Sequence, residues 1–290
     1  MRIALTVLAR AARVLSLILL AAVGSLAMMR YAPGYFADSR ELDAAHAGEV
    51  RAQLQHLQAS EASLPLLLRS QGRAWLHGDL GQSRQYEVPV ADLVRERYRS
   101  TLRLLGCGVG LGWALAIVFA VPLSVPRGLP GQTLVGLATA TLMAIPVGAL
   151  ATFSLLLNKG GPIFTVALLV AIREFKLLHG LLKAGWRAPH LLQARTQGFS
   201  ELRSLRVHLL HSLRPELLNL AGMSAVVALS ALVPVEVVFD VPGLGQLAWS
   251  AAINRDLPVL VAMTALMAVC VGAVGSLTSQ KRIRSATLCE

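Results

Sequence analysis

Residues 101–125 read "TLRLLGCGVGLGWALAIVFAVPLSV". One charge, Arg103, stands near the start of this run, where its long side chain can reach the interface. An α-helix needs about 20 mostly apolar residues to cross the hydrocarbon core of a bilayer. The run is continuous rather than alternating, which points to a helix and not to a barrel strand. Within it Gly106, Gly108, Gly110 and Gly112 mark a thin helix face for close packing against another helix. A phosphate-binding loop is the sharper reading of these glycines. It fails because no Lys-Ser/Thr follows them, and no G-x-x-x-x-G-K-[ST] occurs in the chain.

The rest of the 290 residues follows the same solvent. The chain is 55% hydrophobic and 15% charged, with mean hydropathy +0.60. Further apolar runs lie at about 11–29, 132–157, 161–175, 217–238 and 258–277, so six spans are expected. Pro122 and Pro146 fall inside two of them, as kinks or as tolerated prolines. The first run follows Arg2, Arg10 and Arg13 and resembles a signal peptide. No small-x-small cleavage site follows in "MMRYAPGYF", so a retained membrane helix is expected.

Charge orients the spans. Both tails are basic, through Arg2, Arg10 and Arg13 at one end and Lys281, Arg282 and Arg284 at the other. The connection from about Arg173 to Glu216 carries eight Lys/Arg against three acids. The connections at Lys159 and around Arg255 are poor in Lys and Arg. The segment from Arg30 to Arg99 is balanced at nine Lys/Arg and nine Asp/Glu, and is too long to set topology. Both termini are therefore expected in the cytoplasm of a multi-pass inner-membrane protein. Residues 30–99 form an external segment with helical stretches such as Ser39 to Ala59, and residues 100–290 form the core. The net charge of +11 belongs to this positive-inside bias. No basic stretch is interleaved with aromatics, so nucleic acid is not an expected partner.

The cytoplasmic connection contains "ARTQGFSELRSLRVHLLHSLRPELL", Ala194 to Leu218. A short helix ends at Gly198, Ser200 is an N-cap, and a second helix starts at Glu201. Leu202, Leu205, Leu209 and Leu213 recur at near-helical spacing, with Arg203, Arg206 and Arg214 between them. By residues alone this bent amphipathic pair is a docking element, a loop on anionic headgroups, or a plain connector.

Outside the membrane two stretches stand out. "GDLGQSRQYEVPVADLVRERYRSTLRL" runs from Gly78 to Leu104, and "VEVVFDVPGLGQLAWSAAINRDLPVL" from Val235 to Leu260. Pro242, Gly243 and Gly245 allow a tight turn, either a plain reversal or a gate or contact surface. Glu236 is open to three roles: a site for a cationic group, a partner for a base on another chain, or a solvated interfacial acid. The last is the expectation. The seven histidines form no ligand cluster, and the three cysteines have no metal or redox spacing. No nucleophile with a base lies inside a span, so no catalytic site, metal or cofactor is expected. Intramembrane charges are too few for a proton or sodium relay. A secondary transporter or channel working without ATP remains the alternative.

These stretches, in this order, resemble the permease subunits of ATP-binding-cassette importers in the oligopeptide/dipeptide/nickel, binding-protein-dependent transport family. The matching positions before the second span include Gly78, Asp79, Gly81, Ser83, Pro89, Arg97 and Thr101. Those around the last turn are Glu236, Phe239, Pro242, Gly243, Gly245, Arg255 and Asp256. Ala194, Arg195, Gly198, Glu201, Arg203, Arg206 and His208 match the family's coupling loop, about 176–216. The coupling signature departs from the usual one at Arg-Thr-Gln-Gly, His211 and Pro215. The resemblance implies an all-α, six-helix type I importer permease fold. It also implies a second homologous permease, two cytoplasmic ATPases, an external solute-binding protein and a peptide-like solute. ATP would be hydrolysed on the partner chains, since no Walker motif is present here.

Overall fold

The computed structural model describes residues 79–125, 132–157, 161–188, 200, 203–254 and 256–286, with five isolated positions before them. The first expected span, the stretch from Ser39 to Ala59 and the turn at Gly198 lie outside the described residues. What is described is helical: α1 Val90–Ser124, α2 Gln132–Met143, α3 Val147–Leu156, α4 Pro162–Trp186, α5 Arg214–Val238, α6 Leu244–Ile253 and α7 Leu257–Ala286. A π-helical segment, Ser204–Leu209, precedes α5 and ends in the single turn Leu210–Ser212.

Among the described residues, three helices are long and apolar enough to cross a membrane: α1, α5 and the Leu257–Gly275 part of α7. A fourth crossing is possible by length if α2 and α3 count as one span, but they are bent by 91°. The expected span 132–157 is thus broken rather than kinked. Pro146 explains the break. It takes an extended ψ of 143° as the N-cap of α3, and a proline disfavours helical geometry in the residue before it. Pro122, by contrast, sits in the last turn of α1 and leaves that helix continuous.

Two boundaries differ from expectation. α1 starts at Val90, eleven residues before the expected span, because Val90 and Leu93 are buried in a core of their own. α4 continues eleven residues past the expected end at 175, to Trp186. Its buried stripe recurs every fourth residue as Val166, Val170, Glu174, Leu178, Leu182 and Trp186. That stripe is helical packing and does not stop where hydropathy falls.

The chain divides into two compact units, one of residues 1–99 with 242–273 and one of residues 100–241 with 274–290. In the first, Val90 and Leu93 pack with Leu244, Leu247, Ala251, Val259, Ala262 and Met263. In the second, Ala120, Leu178, Leu182, Trp186, Leu205 and Leu209 form a core that ties α1, α4 and the π-helical segment together. The end of α1 is also hydrogen-bonded to α4. The Trp186 indole donates to Ser124 Oγ at 3.4 Å, and a His179 ring nitrogen lies 3.3 Å from the Leu123 carbonyl.

Of the four glycines in α1, two do the packing. A Cβ on Gly108 would meet Val166 at 2.6 Å, and one on Gly112 would meet the Ala167 carbonyl oxygen and Val170 at 2.8 Å. Gly106 and Gly110 have nothing within 4 Å of that position. The Gly-x-x-x-Gly pair at 108 and 112 therefore lets α1 approach α4 until backbone touches side chain. Gly112→Ala, meeting backbone that cannot move aside, should destabilise the folded chain by about 1–3 kcal/mol. Gly110→Ala should leave it unchanged or slightly firmer. Thermal unfolding of both variants in the same detergent checks this; equal midpoints would refute the packing role.

Candidate functional site

The residues before α1 fold into a tight loop. Gly81 takes φ +85°, and its N–H donates to Asp79 Oδ1 at 2.8 Å. Ser83 N–H reaches the Val88 carbonyl at 2.9 Å and Val90 N–H reaches the Gly81 carbonyl at 3.0 Å, closing the loop on itself. A side chain at Gly81 would be strained by that φ, and its Cβ would lie 3.5 Å from Pro258. Pro89 is bridged to Gln82 across the loop.

The closed loop presents Ser83 to Asp256, which is fully buried just before α7. The Ser83 hydroxyl donates to Asp256 Oδ2, and the Gln85 N–H donates to the same oxygen at 3.1 Å. Oδ1 receives no hydrogen bond among the described residues. Around this pair a polar chain continues: the Ser250 hydroxyl donates to Gln85 Oε1 at 3.1 Å, and the Tyr86 and Ser250 hydroxyls lie 3.3 Å apart. The Arg97 guanidinium sits 5.7 Å from the centre of the Tyr86 ring, close enough for a cation–π contact.

A second pair is built the same way in the other unit. Glu236, near the end of α5, is fully buried, and the Thr101 hydroxyl of α1 donates to its Oε1 at 2.8 Å. The expectation that Glu236 is solvated is overturned. Its carboxylate is withdrawn from solvent and held by a hydroxyl 135 positions earlier in the chain.

The turn after Glu236 is also not the one expected from its glycines. Gly243 has an ordinary extended backbone, φ −123°, as the N-cap of α6. The left-handed position is Asp240, φ 50°. Val241 N–H reaches back to the Glu236 carbonyl at 2.9 Å and Asp240 N–H to the Val237 carbonyl at 3.3 Å. This is a Schellman ending of α5 in which Asp240 occupies the position glycine usually takes. Phe239 is the C-cap residue of α5, and Gly245 is buried within α6.

The basic connection between α4 and α5 is described from Ser200 onward in part. Ser200 Oγ accepts the Arg203 N–H at 3.4 Å, as its N-cap role requires. Arg203 is exposed, while Leu205 and Leu209 turn inward. Arg206 and His208 have their backbones in the π-helical segment. A Cβ on Gly185 of α4 would lie 2.3 Å from Leu209 Cδ1. The leucine therefore seats where α4 has no side chain. Gly78, Ala194, Arg195, Gly198, Glu201 and Arg255 lie outside the described residues.

One charged pair escaped the sequence reading. Arg173 and Glu174 stood there as the first residues of the cytoplasmic connection, because hydropathy ends near them. They lie in the middle of α4, and Glu174 is fully buried. The four-residue stripe was the signal that could have found Glu174. Its polar neighbours are Ser224 and Arg173. Ser224 spends its proton on the Leu220 carbonyl at 2.8 Å and accepts the Trp113 indole N–H at 2.9 Å. Neither Glu174 oxygen is hydrogen-bonded among the described residues, and no group of three or more metal-ligating side chains occurs among them.

Within each hydroxyl–carboxylate pair the two partners should be energetically coupled. In a double-mutant cycle of Ser83→Ala and Asp256→Ala, the coupling should be about 1.5–3 kcal/mol, as for a hydrogen bond to a charged group. Urea or thermal unfolding of the four proteins in micelles measures it, and additive effects would contradict a shared bond.

Comparison with known proteins gives consistent findings. The sequence profile of the family described as "Binding-protein-dependent transport system inner membrane component" matches residues 104–280. The oligopeptide transport system permease protein AppB of Bacillus subtilis is 26% identical over 230 residues, covering 70% of this chain and 72% of that protein. A probable peptide ABC transporter permease of Sinorhizobium fredii is 27% identical over 214 residues, 64% of this chain and 67% of that protein. A putative peptide permease of Brucella ovis is 25% identical over 238 residues, 71% and 74% of the two chains.

Proposed function

Because the chain belongs to the family of inner membrane components of binding-protein-dependent transport systems, we propose that it forms half of the translocation pathway of an ATP-driven importer for peptides or similar small solutes. Its partners are a second homologous permease, two cytoplasmic ATPases and an external solute-binding protein. Both termini face the cytoplasm. The peptide class rests on the names of the relatives, which are oligopeptide and peptide permeases.

The observation that carries the mechanism is the seat of Leu209 against Gly185. An ATPase that grips the connection around Gly198 moves the helix that follows it. Leu209 is fully buried, so the π-helical segment cannot slide without carrying α4 along. Packed cores respond to such displacement by switching between arrangements rather than by bending. The spans thereby alternate between inward and outward access. The exposed Arg203 offers a charge to the ATPase surface at the start of this lever.

Two results test the reading. A C-terminally tagged chain, solubilised gently from its native cell, should co-purify with a second permease and an ATPase carrying a Walker motif. A homo-oligomer free of ATPase after crosslinking would sink it. In the reconstituted complex, Gly185→Val, Gly198→Pro and Arg203→Glu should each lower solute uptake about tenfold while ATP hydrolysis continues, the size expected for loss of a coupling free energy between sites. Gly180→Ala, with nothing within 4 Å of its Cβ position, is the control. Normal uptake in all three variants would remove the coupling role from this segment.

A further inference from the structure

Arg173 stands eleven residues after Pro162, about 17 Å along α4 at 1.5 Å per residue. That is the middle of the helix. A guanidinium partly withdrawn from solvent is costly unless it faces a cavity or a partner. Here it lines a cavity of about 370 Å³ between α4, α5 and α7. The other walls include Gly222, Met223, Val227, Ser230 and Gly275, so Arg173 is the ionisable group in an otherwise small, mostly apolar lining. Arg173 is half-buried and Met223 is 41% exposed, which leaves the cavity open on one side.

We infer that this cavity is a subsite for the carboxylate group of the transported solute, held by the fork of Arg173. The inference deepens the importer reading above and rests on it for the word transported. Guanidinium donors match a carboxylate bidentately, which an ammonium group cannot do. The glycines at 222 and 275 keep the walls low enough for a main chain to pass.

The test reads the cavity's charge directly. Met223→Cys is placed in a background with Cys107, Cys270 and Cys289 each changed to Ala, and the full chain is reconstituted in nanodiscs. Rates of modification are compared for a negatively charged sulfonatoethyl and a positively charged trimethylammonioethyl methanethiosulfonate. The anionic reagent should react about tenfold faster relative to a free thiol, since a charged cleft concentrates the opposite charge. Arg173→Gln should abolish the preference and Arg173→Lys, which keeps the charge, should retain it; retention by Lys also shows that the site still folds. Dialanine should slow the anionic labelling, and dialanine amide should not. A preference unchanged in Arg173→Gln, or equal protection by the acid and the amide, would overturn the proposal. So would protection that needs no solute and follows phosphatidylglycerol content, because a lipid headgroup would then be the occupant. The labelling preference depends on this chain's cavity alone, whereas the importer reading stands on co-purification, so the two fail separately.

Discussion

A carboxylate removed from water is costly unless donors inside the protein meet it, and this chain meets two of its buried acids, Asp256 and Glu236, with hydroxyls from distant sequence. Asp256 accepts Ser83 and the Gln85 N–H, and Glu236 accepts Thr101. Desolvation without such donors costs far more than the bonds return. Each pair therefore determines where the segment before or within α1 must lie relative to the end of α5 or the start of α7, within its own unit. The tight loop at Gly81 and the Schellman turn at Asp240 follow from that requirement. One brings a hydroxyl to an acid, and the other ends a helix one turn after a buried acid.

Close approach is the second constraint. In lipid, helices gain little from hiding apolar surface, since the solvent is apolar as well. What holds them is contact at short range. Gly108 and Gly112 bring α1 onto the Val166 and Val170 side of α4, and Gly185 admits Leu209 on the same helix. α4 thus receives α1 near its beginning and the π-helical segment near its end. A helix held at both places is a rigid rod between its packing with α1 and the π-helical segment. Arg173 and Glu174 lie between those two contacts, at the level where a shift of α4 would be felt by anything in the cavity beside them.

Some features were legible in the residue string because they depend on solvent or on local geometry. Long apolar runs had to be helices in lipid, so α1, α5 and α7 were readable from hydropathy. Ser200 as an N-cap was readable because capping is a matter of three residues. Pro146 was readable as a disturbance, although its size was not: a kink and a 91° break need the same proline and differ in what packs on either side. The turn at Pro242 to Gly245 misled, because glycine permits a left-handed backbone without demanding one. Asp240 took that role instead.

The sequence by itself determined the class of protein: a helical membrane chain with basic connections, whose ordered motifs mark an importer permease. Those properties are set by composition and by spacing along the chain. Only the tertiary structure decided which glycines pack, which acids are buried and how far α4 runs. Gly108 and Gly110 are alike in the string and differ only in what faces them. Glu174 sits among charged residues in the string and is fully buried in the fold, because a four-residue stripe buries whatever stands on it. Burial is a property of the partner surface, and that surface is assembled from residues far away in the chain.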